Sequence, residues 1–223
     1  MDPREAEQLI QHLPPTSEPH DPDAPTPAKR FPRTAFDVVA LASSAGGIAA
    51  IGHILESLPA GFPAAIVVVQ HLDPRHRSLM AEILRRRTNL EVVQAAEGDR
   101  IRPGSVHIAP PDRHLLVNRD GSLSLTQSEL VHFVRPSADL LFESVAASYG
   151  ERAIAVVLTG TGSDGSLGVG AIKKMGGTVI AQENAEFVGM PAAAIKSGHA
   201  DFILRLEEIP PALTTLVAEG VVR

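Results

Sequence analysis

At 223 residues, with 44% hydrophobic and 21% charged residues, the chain can bury a real core and has the composition of one ordinary soluble domain. A formal net charge of −6 argues against nucleic acid as the main partner, because neutralising phosphates takes clustered lysine and arginine. The absence of cysteine removes disulfides, thiolate metal ligands and thiol nucleophiles together, and is compatible with a reducing cytoplasm.

The first residues, MDPREAEQLIQHLPP, are charged and proline-broken where a signal peptide needs an apolar stretch, so secretion is not indicated. Residues 1–33 hold eight of the 18 prolines and read as a polar tail unable to repay its ordering entropy. One short helix is possible at DPREAEQLIQHL, behind Asp2 as cap. The globular domain is placed at 34–223. Its first segment, VVALASSAGGIAAIGHIL (38–55), carries no formal charge and comes near the lower length limit for a membrane span. It spends Ser43, Ser44, Gly46, Gly47, Gly52 and His53 inside that window, so membrane insertion is rejected in favour of a buried strand, FDVVALA, a glycine turn and a helix near 47–58.

Further along, AAIVVVQ precedes a helix in HRSLMAEILRRR, AIAVVLTG precedes one in SLGVGAIKKM, and GTVIAQ precedes one in PAAAIKSG. Strands apolar throughout and separated by helices predict a doubly wound, mostly parallel sheet covered on both faces, a three-layer αβα architecture. Between them SVHIAPPDRHLLVNRDGSLSLTQ alternates apolar and polar positions around RDGS, which predicts an antiparallel hairpin attached to the main sheet.

Ligands of open parallel sheets collect beyond the carboxyl ends of the strands. The polar residues there are Ser43 and Ser44 after the first strand, Gln70 and His71 after the second, Thr159 to Asp164 after AIAVVL, and Gln182 with Glu183 after GTVIA. A serine, a histidine and an aspartate on three strand ends of one sheet suit nucleophile, general base and orienting acid. Each alone also has a structural reading: a serine before AGG as a helix cap, a histidine ending a strand as a core residue, an aspartate in TGSDG as a turn residue. The rival site is GTGSDG, residues 160–165, a literal GxGxxG between strand and helix with Glu183 about 20 residues on, which fits a dinucleotide fingerprint. It leaves Ser44 and His71 without a role. His107, His114 and His132, in or near the hairpin, read as structural or solvated. A His71–His76 metal pair would need a continuous helix, which Pro74 interrupts.

Taken in order, ASSAGG, VVVQHLDP, RPSADLLFESVA, LTGTGSDGSLG and AQENAEFVGMPAAAI resemble the catalytic domain of chemotaxis protein-glutamate methylesterases, the CheB type, from about Phe36 to Pro210. The resemblance implies a serine hydrolase that removes methyl groups from receptor glutamates, with deamidation of receptor glutamines as a companion activity. By motif the nucleophile falls on Ser44, the base on His71 and the orienting acid on Asp164, with backbone N–H groups of Ala45 and Thr161 as oxyanion donors. It implies no cofactor and no metal, a cytoplasmic site of action and the methylated cytoplasmic regions of chemoreceptors as partners. Thr161 stands where the family often has methionine, and the stretch after the base is unusually basic; Arg75, Arg77 and Arg85–Arg87 read as a solvated face or a contact with an acidic receptor bundle. Family members commonly carry an amino-terminal receiver domain. A 33-residue tail is too short for one, so the expectation is a stand-alone esterase, constitutively open or governed by a separate regulatory partner. An inactive signalling scaffold is the remaining alternative.

Overall fold

The computed structural model describes residues 28–32, 34–73, 75 and 78–218. Most of the expected tail, including its short helix, lies outside the described residues. The packed part takes in residues ahead of the boundary expected at 33/34: Phe31 is 5% exposed and its N–H donates to Asp37 Oδ1 at 2.8 Å.

Seven parallel strands form one sheet: β1 (Val38–Ser43), β2 (Ala65–Gln70), β3 (Glu91–Gln94), β4 (Ser105–Ile108), β7 (Ala153–Val157), β8 (Thr178–Gln182) and β9 (Phe202–Leu204). Their spatial order is β3-β4-β2-β1-β7-β8-β9, while β5 (His114–Val117) and β6 (Leu123–Thr126) pair antiparallel as a separate two-stranded sheet. The winding starts at β1, runs outward to β3, and returns to place β7 on the other side of β1. That reversal makes the carboxyl ends of β2, β1 and β7 the natural crevice of the fold.

Side-chain size alternates along the central strands and decides what packs where. Val38, Ala40 and Ala42 of β1, with Ala153, Ala155 and Val157 of β7, face a cluster containing Phe142 and Val145 of α3 (Ala138–Tyr149), Val169 and Ile172 of α4 (Gly168–Lys174), Met190 of α5 (Gly189–Lys196), and Leu115 and Leu123 of the hairpin. Val39, Leu41, Ile154 and Val156 face the opposite cluster, with Ile51 and Ile54 of α1 (Gly47–Ser57), Leu84 of α2 (Met80–Arg85) and Leu213 of α6 (Ile209–Ala218). Alanines on one face let α3 come close enough to seat the fully buried ring of Phe142. Truncating such a ring to alanine typically costs about 3–5 kcal/mol.

The expected three-layer sheet is present; two details differ from the sequence reading. SVHI is not part of the hairpin but strand β4, parallel to β2 and β3. Its alternation misled because the polar positions are buried as well: Ser105 Oγ is satisfied by Arg102, and His107 is 3% exposed. The helix expected over 76–87 is confined to Met80–Arg85. The uncharged stretch 38–55 is a strand and a helix, and among the described residues no helix is long and apolar enough to cross a membrane.

Among the described residues neither ring nitrogen of His107 has a hydrogen-bond partner, and Asp99 Oδ2 stands 3.8 Å from Nδ1, too far to bond. Burial pushes this imidazole below its ordinary value, against the opposing pull of Asp99 and Glu91 and with a push in the same sense from Arg102. The unfolded chain therefore takes up a proton that the folded one refuses, and stability is lost as pH falls from the ordinary histidine value towards the lower folded one. His107→Leu is expected to flatten stability against pH below about pH 6.5, the ordinary histidine value. Urea unfolding at stepped pH measures this, and an unchanged slope would assign the acid sensitivity to another group such as His114.

Candidate active site

At the crevice the parallel ladder continues past the strand ends. Ser43 pairs with Gln70, so Ser44 and His71 follow as the next residues in register. His71 N donates to Ser43 O at 3.1 Å, and on the other side of β1 Ser44 N donates to Thr159 O at 3.0 Å. Ser44, His71 and Thr159 therefore leave three neighbouring strands side by side.

The two serines of ASSAGG differ in state. Ser43 is fully buried and its hydroxyl donates to Gln70 Oε1 at 2.7 Å. Ser44 is half-buried and its hydroxyl has no hydrogen-bond partner among the described residues. Past Ser44 the chain turns through Gly46, whose φ of 75° suits glycine, into α1. Gly47 N donates to Ser44 O at 3.0 Å, and Thr159 Oγ1 donates to Ala45 O at 3.1 Å. The turn's carbonyls are thus engaged, whereas the backbone N–H groups of Ala45 and Thr161 have no acceptor among the described residues.

His71 Nε2 lies 2.8 Å from Asp164 Oδ2. Asp164, 2% exposed, receives three further hydrogen bonds: from Ser137 Oγ (2.8 Å) and Asp139 N (3.2 Å) at Oδ1, and from Ala138 N (2.6 Å) at Oδ2. The carboxylate caps the amino terminus of α3, where free amides and the helix dipole favour negative charge. Burial alone would raise its pKa; the bonds from His71, Ala138 and Ser137 outweigh that and hold the carboxyl below its ordinary value.

A second carboxylate answers it. Asp139, in the first turn of α3, accepts from Leu167 N (3.0 Å) and Gly168 N (2.7 Å) at the start of α4, and its Oδ2 pairs with His132 Nε2 at 3.0 Å. Burial raises its pKa, the Gly168 amide opposes this, and the nearby charge of Asp164 adds to the rise. Asp164, on the loop that leads into α4, thus caps α3, and Asp139 of α3 caps α4. This counts against the dinucleotide reading of 160–165: the amides of Leu167 and Gly168 at the start of α4, which a phosphate at that helix end would use, are occupied by Asp139. A side chain at Gly160 would meet Met190 Sδ and Ser44 Cβ, so that glycine serves close packing within the chain.

Beside His71 a cavity of about 180 Å³ is lined by Leu72, Asp112, Leu130, Phe133, Val134 and Arg135. Arg135 holds it together, with Nη2 2.6 Å from Asp112 Oδ1 and Nη1 2.6 Å from Ser128 O. Phe133, 93% exposed at a φ of 64°, stands at the rim, and Phe187 and Val188 are exposed on the loop after β8. Phe187 N donates to Thr159 Oγ1 at 3.0 Å, which ties that loop to the crevice.

Ser44, His71, Ala45, Thr161 and Asp164, singled out in the sequence, thus all fall at this one edge. His114, fully buried, accepts from Ser137 N through Nδ1 at 3.1 Å and sits 3.0 Å from Glu129 O, a structural role that steadies the start of α3. The sequence reading gave no role to Gln70, Ser137, Asp139 or Thr159. Ser137, directly before the apolar run ADLLF, carried a capping signal that could have marked the helix start.

The CheB methylesterase family model matches residues 39–213. A protein of Moorella thermoacetica, described as protein-glutamate methylesterase/protein-glutamine glutaminase, is 43% identical over 198 residues, covering 85% of this chain and 47% of that one. A Leptospira interrogans protein described as putatively the same is 39% identical, covering 78% of this chain and 91% of its own length. The chain spans about half the length of several relatives, and nearly all of the Leptospira one. Among solved structures, the Thermotoga maritima CheB methylesterase catalytic domain superposes with a TM-score of 0.78 at 38% identity, covering 82% of this chain and 99% of that one. With this fold and these strand-end residues in hand, the chain belongs to the CheB methylesterase family.

Proposed function

We propose that the chain hydrolyses glutamate methyl esters on the cytoplasmic regions of chemoreceptors, with Ser44 as nucleophile, His71 as general base and Asp164 as the acid that orients His71. The observation that carries this reading is the pairing of His71 with the buried, multiply bonded Asp164 one strand away from an unpartnered Ser44 hydroxyl. With Nε2 engaged by Asp164, the imidazole has Nδ1 left for the serine. His71 takes the Ser44 proton as Oγ bonds to the ester carbonyl carbon, then passes it to the departing methanol. Water, deprotonated by the same nitrogen, attacks the acyl-serine; glutamate leaves and Ser44 recovers its proton. Asp164 stays ionised, fixing the imidazole tautomer and stabilising the imidazolium.

The negative oxygen that forms twice along this route needs donors already in place. The free N–H groups of Ala45 and Thr161 are the candidates, since neighbouring carbonyls are held by Gly47 and Thr159. Deamidation of glutamine, named for the relatives, follows the same route with ammonia as leaving group. Receptors as partners and the cytoplasm as the site of action rest on the family. The exposed Phe133, Phe187 and Val188 supply apolar rim surface for a helical substrate.

Methanol release from methylated receptor fragments tests the reading: Ser44→Ala is expected to lower kcat by at least about 10³-fold without unfolding the chain. Undiminished release would assign the nucleophile elsewhere, and no release by the parent would favour a scaffold. Asp164→Asn is expected to lower kcat by roughly 10²–10⁴-fold, because the imidazole loses its tautomer control. The same variant has a second readout. A carboxyl held below its ordinary value stabilises the fold above that value, near pH 4, and the contribution is lost as pH falls through the lower folded pKa. Acid unfolding of Asp164→Asn should accordingly depend less steeply on pH below about 4.

A further inference from the structure

We infer that Gln70 is a positioning residue for this chemistry, its side-chain amide fixing the backbone of both the nucleophile and the base. The inference rests on Ser44 and His71 holding those roles. Gln70 ends β2 and is 4% exposed. Its Nε2 donates to Ser44 O at 2.7 Å and to His71 O at 2.9 Å, while Oε1 accepts from Ser43 Oγ at 2.7 Å.

Both N–H bonds of the amide are thereby spent on the carbonyls of the two residues that must meet. A core-filling side chain would need neither donor. One step past the strand ends the ladder bond from His71 N to Ser43 O is still made, and the amide adds ties from β2 to the carbonyls of Ser44 and His71 that the ladder does not supply. The neighbouring turn is built around the same group: at Gly47 a Cβ would run into Gln70 Oε1 and the Ser43 hydroxyl, so only glycine leaves the amide in place. Without the amide, the Ser44 and His71 carbonyls lose their common tether; Ser44 keeps its bonds to Thr159 O and Gly47 N and His71 its bond to Ser43 O, but nothing couples the two peptide planes that follow. Displacements of about 1 Å at reacting groups cost rates of the order of 10²-fold.

The test compares Gln70→Met, which keeps length and apolar bulk but has no donor, with Ser43→Ala, which removes only the bond at Oε1. Active sites are counted with a fluorophosphonate probe that labels Ser44, and methanol release is measured per labelled site. Gln70→Met is expected to lower kcat and the labelling rate by about 10–10²-fold while KM moves less than about threefold, and Ser43→Ala to cost clearly less. Equal loss in both variants, or a per-site kcat and labelling rate for Gln70→Met within about threefold of the parent, would overturn the inference. If Gln70→Met does not fold, Gln70→Glu decides: its neutral carboxyl restores one donor, so its rate relative to the parent should rise as pH falls, and a flat ratio overturns the proposal. A parent that neither labels nor releases methanol removes the esterase reading and this inference with it; an active parent beside an equally active Gln70→Met removes the inference alone.

Discussion

The carboxylate of Asp164 is the point on which the site depends. It is buried, it is ionised, and four donors from two elements converge on it: the His71 ring, the Ser137 hydroxyl and the first two amides of α3. A charge taken out of water is tolerable only when hydrogen bonds replace its hydration, and here the start of a helix provides them. The bonds that stabilise the charge also fix its position, so the partner of His71 is anchored to the body of the domain. Asp139 completes the arrangement by capping α4, and the two helix starts bind each other across the crevice.

That crevice exists because the sheet is parallel and reverses its winding at β1. Strands β2, β1 and β7 end side by side, and the residues immediately after them inherit the strand spacing without any special device. Small side chains on one face of β1 and β7 bring α3 close to the sheet, which carries its amino terminus to the loop that bears Asp164. The packing of alanines against Phe142 and the placement of a carboxylate beside His71 are therefore parts of one construction. Substituting a larger residue at Ala40 or Ala155 would act on the site through α3, although neither residue is near the chemistry.

Amides and hydroxyls then fix what the ladder leaves loose. Gln70 holds the Ser44 and His71 carbonyls, Thr159 holds Ala45 and the loop carrying Phe187, and Gln182 Oε1 accepts from Thr159 N at 2.8 Å. The Gln70 amide and the Thr159 hydroxyl are satisfied, which lets them sit next to a hydrophobic core. They leave two backbone N–H groups free at the place where the proposed reaction develops negative charge.

Much of this was legible in the residues. Apolar Val- and Ile-rich runs spaced by helical segments specify a parallel sheet, because only strands buried on both faces are apolar throughout, and such a sheet dictates that polar residues after its strands share one edge. Ser44, His71 and Asp164 followed from that rule and from the ordered family motifs. The alternation in SVHI points to an antiparallel hairpin rather than to the parallel strand it forms, since a period of two cannot distinguish solvent from a buried polar environment. The roles of Gln70, Asp139 and Ser137 were not legible for a related reason: a hydrogen bond between residues 26 or more apart in the chain leaves no periodic trace, and which serine hydroxyl is spent and which is free depends on it. The sequence by itself determined the layers of the domain and the edge where chemistry belongs, through local pattern; the tertiary structure decided which donors meet which carboxylate and which carbonyls are tied down, because those contacts form only when distant segments pack together.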